Sequence, residues 1–142
     1  MINEHFKVTG EVTIQKNGKV IREIPNTIVT AGKNNIAALI TDAGAKMTHM
    51  AVGTGTTSVA AGDTTLVTET DRNALSVSGG APSANTIVHT AVWAAGDGTG
   101  ALTEAGLFSA SSGGTMMART VFSAVNKAAG DILTITWTVT IS

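Results

Sequence analysis

Residues 131–142 read DILTITWTVTIS, and from Leu133 onward every second residue is large and apolar: Leu133, Ile135, Trp137, Val139 and Ile141, with Thr134, Thr136, Thr138 and Thr140 between them. Successive side chains of a β-strand point to opposite sides of the sheet, so this alternation specifies a strand with two different faces. A helix would scatter the same residues around its circumference. The apolar face calls for a second layer to bury it. The other face is a row of β-branched hydroxyl side chains, which favours the strand and suits contact with a neighbouring subunit.

The earlier part of the chain repeats the pattern less strictly. Phe6, Val8, Val12 and Ile14 recur at even spacing, and KNGK at 16–19 supplies Asn17-Gly18, a pair that tolerates the positive φ angles of a type I′ hairpin turn. The returning strand, Val20 to Ile24, meets Pro25, which cannot donate to a ladder and so marks an edge or an end. Ile28 and Val29 belong to a further extended stretch. Ile36, Leu39, Ile40 and Ala43 fall at i, i+3, i+4 and i+7 before Gly44, which predicts a helix over 33–43 with a narrow apolar stripe lying on a sheet. MTHMAVGTG (47–55) predicts a short strand ending in a Gly-Thr loop, and Asp63 is placed to cap one helical turn through TTLVTET. Beyond Arg72, strands are predicted at 72–78, 86–95, 103–109, 115–124 and 131–141, separated by the turn compositions SGGAPSAN, AGDGTGA, SASSGG and NKAAG. The expected fold is mainly β, an antiparallel β-sandwich with one short α-helix near 33–43. Residues 1–142 should form a single domain with a short N-terminal arm, about 1–7.

With 142 residues, a chain can bury roughly 70% of the surface it exposes when unfolded, enough for a core without disulfide or metal. Cysteine is absent, which removes disulfides and thiolate zinc sites. The opening MINEHFKVTG carries charges and no apolar run, and no long apolar stretch follows, so neither a signal peptide nor membrane association is expected. A net charge of −1 without a Lys/Arg cluster argues against nucleic acid as a partner. The distribution of charge says more: 14 of the 19 Asp, Glu, Lys and Arg lie in residues 1–72 and 5 in residues 73–142. Surface so poor in charge, filled instead with Ala, Gly, Ser and Thr, is expected to be covered, and low net charge favours association.

The chemistry of catalysis is thin. His5 lies in the arm, His49 on a short strand and His89 on the 86–95 strand, and a lone strand histidine is more often structural than a base. No G-x-S-x-G, H-E-x-x-H or G-x-x-x-x-G-K-[ST] occurs, and no catalytic residue is assigned. VGTGTTS (52–58) has the glycines of a phosphate loop without its Lys or helix, and GDGTG (96–100) offers one acid where a calcium loop needs several. Both read as turns, so no cofactor and no metal is expected. Trp93 and Trp137 could form a sugar-stacking platform, but their two-residue phase with apolar neighbours reads as core.

Four stretches, IPNTIVTAGKNNIAALI, MAVGTGTTSVAAGDTTLVTETDR, LTEAGLFSA and MMARTVFSAVNKAAGDILTITWTVTI, resemble in this order virion structural proteins of tailed bacteriophages, over about residues 24–141. The resemblance implies a β-sandwich packed into the particle, either as a capsid decoration (cement) protein or as a tail-fibre or baseplate component, and it carries over no catalytic residue. The first reading implies a non-enzymatic protein, made in the host cytoplasm, that sits on the capsid surface, contacts the major capsid protein and forms a small homo-oligomer, a trimer being the expected state. The expected partner contacts are Ile2, His5 and Phe6 in the arm and Thr134, Thr136 and Thr138 on the alternating strand. The second reading implies a module that binds a host receptor or glycan through loops 53–63, 79–85 and 96–101.

Overall fold

The computed structural model describes residues 6–142. In chain order its strands are β1 Val8–Lys16, β2 Lys19–Pro25 and β3 Thr27–Ile28; the helix α1 Thr30–Ile40; then β4 His49–Gly53, β5 Glu69–Ala74, β6 Ala81–Ser83, β7 Thr86–Trp93, β8 Gly100–Phe108, β9 Met116–Lys127 and β10 Leu133–Ile141. They form two five-stranded sheets, ordered β2-β1-β10-β7-β6 and β3-β9-β8-β4-β5, and every pairing is antiparallel. This is the mainly-β sandwich with one short helix that the alternation required.

The β1–β2 hairpin turns through Asn17 (φ 52°) and Gly18 (φ 81°), both in the left-handed region that a type I′ turn demands. Asn17 also ties that turn to the β9–β10 connection, donating from Nδ2 to Asp131 (2.9 Å) and accepting from the Ile132 amide (2.9 Å). β2 is an edge strand ending at Pro25. β10 lies at the centre of its sheet, between β1 and β7, and its apolar residues meet Val12, Ile14, Ala91 and Trp93 in the core between the sheets. Trp93 and Trp137 are fully buried. Each ring hides about 200 Å², worth ~5 kcal/mol at ~25 cal/mol per Å², less a penalty of ~1–3 kcal/mol for an indole N–H without a partner. Packing therefore outweighs the unmet donor at both positions.

The second sheet is covered on both sides. A smaller cluster of Val29, Ala51, Leu66, Phe108 and Met116 lies apart from the main core, which explains why β8 is buried at every residue from Glu104 to Phe108 instead of alternating. The helical turn expected through TTLVTET (64–70) does not form: residues 54–68 are an irregular segment, β5 begins at Glu69, and Asp63 accepts from Arg119 and the Ala60 amide.

The helix differs from expectation in position and in orientation. It starts three residues early, at Thr30, and ends before Asp42 (φ 58°), ahead of Gly44. Its buried residues are Gly32 and Asn35, whereas Leu39 is 42% and Ile40 83% exposed. Gly32 dictates this: a Cβ there would lie 2.2 Å from the Met117 carbonyl oxygen, so the helix backbone approaches β9 on the one face that carries no side chain. Asn35 completes the docking by bonding both the carbonyl (2.7 Å) and the amide (2.9 Å) of Ala45.

Candidate functional site

The outward face of the first sheet is built from β1, β10 and β7 in register. Thr9, Thr140 and Thr86 stand in one cross-strand row, Thr13, Thr136 and Thr90 in another. Between them run Glu11, Thr138 and Val88, and at the end Gln15, Thr134 and Val92. Thr134, Thr136 and Thr138 are thus brought together as expected, each half-buried by its neighbours rather than by a covering layer. From β10 across β7 to β6 no ionisable side chain faces outward; the acids Glu11 and Glu23 lie on the β1–β2 side. With strands ~4.8 Å apart and residues ~3.4 Å apart, eight residues across the three strands β1, β10 and β7 span roughly 27 by 14 Å, about 400 Å², against the ~800 Å² per partner of a standard interface.

Charge depletion in the second half is deeper than composition alone indicates. Of its five Asp, Glu, Lys and Arg residues, Glu104, Arg119 and Lys127 are buried, which leaves Asp97 and Asp131 at the surface. Lys127 donates to the Ala94 carbonyl at 2.9 Å.

Glu104 and Arg119 are the centre of a buried polar clamp that pattern reading missed. One Glu104 oxygen, Oε1, accepts from the amides of Thr68 (2.7 Å) and Gly55 (3.0 Å); the other, Oε2, accepts from the Val67 amide (3.0 Å) and from Arg119 Nε (3.1 Å) and Nη2 (2.9 Å). Arg119 also reaches Asp63 Oδ2 (2.9 Å) and the Thr57 carbonyl (3.0 Å). Burial pushes the Glu104 carboxyl upward, but the Thr68, Val67, Arg119 and Gly55 donors together outweigh it and hold the group below its ordinary value. A carboxylate so saturated with donors is a poor base. Its job is to pin both ends of the 54–68 segment to the second sheet. A spacing of 15 residues between Glu104 and Arg119 is no motif, and only the β8–β9 pairing makes them neighbours.

The two histidines among the described residues do not converge. His49, on β4, pairs its Nδ1 with the Thr48 hydroxyl at 2.8 Å, while His89, on β7 of the other sheet, is buried with Nδ1 unpartnered. Burial lowers the His89 pKa; the Trp137 backbone opposite pulls the other way, but is outside hydrogen-bond geometry at Nδ1. Among the described residues no group of three His, Asp or Glu is placed to hold a metal ion. Trp93 and Trp137, buried on the inner face, present nothing for a sugar to stack on. Phe6 is described and is 70% exposed, whereas the expected contacts Ile2 and His5 lie outside the described residues. The chain matches no protein-family model, no curated protein and no solved structure.

Proposed function

We propose that this protein is a non-enzymatic structural component of a tailed-bacteriophage virion that decorates and stabilises the capsid as a small oligomer, with the major capsid protein and its own copies as partners. The observation that carries this reading is the flat Thr and Val face of β10 and β7, without outward charge over two adjacent strands. Such a face docks with little loss of hydration and little side-chain entropy, because β-branched residues are already stiff at χ1. The phage-like wording of residues 24–141 supports the same reading. Stabilising a shell needs only modest contacts repeated at every lattice site: binding to the assembled form alone, at a free concentration of ~100 Kd, adds ~2.7 kcal/mol per site.

The test is reconstitution. Purified protein added to undecorated shells should saturate at hundreds of copies per particle and raise the shell's melting temperature. The T136K/T138K double variant, which places two cations on the face, should lose both effects. Absent or sub-stoichiometric binding to shells would refute the capsid reading, and a count of a few to tens of copies in purified virions would point to the tail instead.

A further inference from the structure

Because Gly32 sets the roll of α1, Leu39 and Ile40 at the outer end of its apolar stripe are left exposed while Ile36 is half-buried against the core, and the three line the wall of a groove. The opposite wall is the open end of the sandwich, where Val8, Val139 and Ile141 come from the first sheet, with Met117 of the second at the base. Two adjoining hollows, ≈ 470 Å³ and ≈ 570 Å³, share Phe6, Val8, Ile36 and Ile40 as common walls. Lys7, Lys33 and Lys46 are the charged residues on their lining, which includes no Asp or Glu. Among the described residues none of these lysines is in an ion pair; the three pairs present belong to Arg72 and Arg119.

We propose that this groove docks an acidic, apolar segment of a partner protein, two of whose apolar side chains enter the two hollows while flanking carboxylates meet Lys7, Lys33 and Lys46. The groove is separate from the Thr face, and the proposal does not depend on the capsid reading. Charge complementarity selects the acidic flanks. The paired hollows select a segment with two apolar anchors, whose side chains would cover the exposed Ile40 and Phe6.

The experiment uses the full chain and a fluorescein-labelled peptide carrying two leucines at i and i+4 among Asp and Glu, with a second peptide in which every acid is replaced by Lys. Fluorescence anisotropy should give saturable one-to-one binding of the acidic peptide, at least about tenfold weaker binding of the basic one, and weakening with salt as the lysine rim is screened. Ile40→Ser and Lys33→Glu, both at exposed positions, should each weaken the acidic peptide about tenfold while circular dichroism and melting temperature stay unchanged. Equal binding of both peptides, or no binding of either, overturns the proposal. So does stoichiometric binding of oleate without peptide binding, which makes the groove an acyl site. Dimerisation lost in Ile40→Ser would make a second copy the occupant. A tenfold gain in peptide affinity on deleting residues 2–5 would make the chain's own amino terminus the occupant, and either result overturns the partner assignment.

Discussion

Replacing Glu104 by Gln keeps the shape of the side chain but changes one of its two oxygens into a donor. If the remaining oxygen faces Arg119 and Val67, the new NH₂ points at the Gly55 and Thr68 amides, leaving two buried backbone donors unmet. The alternative flip orphans the Val67 amide and both Arg119 donors instead. Two unmet donors cost ~1–3 kcal/mol each, and depriving a buried arginine of its counter-charge costs ~3–5 kcal/mol when nothing else compensates. Asp63 stays paired with Arg119, so the second cost largely falls away, and the expected loss, set by the two unmet donors, is about 2–6 kcal/mol in urea or guanidinium melts. Native-state hydrogen exchange should show the Gly55, Val67 and Thr68 amides opening far faster in the variant, since the 54–68 segment loses its anchor. The pH dependence carries the same information. Because the folded-state pKa of Glu104 is depressed, its contribution is fully present above the unfolded value of 4.5 and is lost as pH falls below it towards the folded value. The wild-type stability curve should therefore fall below pH 4.5 more steeply than that of Glu104→Gln. A loss below 1 kcal/mol, with unchanged exchange at the three amides, would show that the clamp does not hold the segment.

Trp137→Ala should cost on the order of 3–5 kcal/mol in denaturant melts, because β1 and β7 fix the walls of the site on either side; a loss below 1 kcal/mol would mean the ring is dispensable to the core. Gly32→Ala forces the helix off the Met117 carbonyl and should destabilise by ~1–3 kcal/mol, while Ile40→Ser, four-fifths exposed on the same helix, should stay within ~0.5 kcal/mol of wild type; equal effects of the two would refute the assigned helix roll. T136K/T138K should lose no more than about 1 kcal/mol of folding stability in thermal melts while binding to shells falls at least tenfold, which separates the face's role in contact from any role in folding.

By itself the sequence determined the features with the strictest local period or turn rule; the strand expected at 72–78 lies instead at 69–74, and SGGAPSAN (78–85), expected as a turn, carries β6. The alternation from Leu133 to Ile141 specified a two-faced strand, because side-chain direction in a strand repeats every two residues whatever surrounds it, and the structure buries the Trp137 side of it. Asn17-Gly18 specified its hairpin for the same reason, since the turn needs positive φ at two adjacent residues and little else. The strands at 86–95, 103–109, 115–124 and 131–141 likewise survive with shifted ends as β7, β8, β9 and β10. Tertiary structure decided whatever depends on which residue lies opposite which. The 3.6-residue stripe of Ile36, Leu39 and Ile40 marked an amphipathic helix but not its roll, which follows from a backbone contact between Gly32 and Met117, 85 positions apart in the chain. Glu104 and Arg119 look in sequence like two more surface charges; only the β8–β9 register and the segment folded over the second sheet turn them into a buried pair. The Thr residues of β10 were legible as an outward row, but that β1 and β7 extend this row into a face is a property of strand order, which no local pattern encodes.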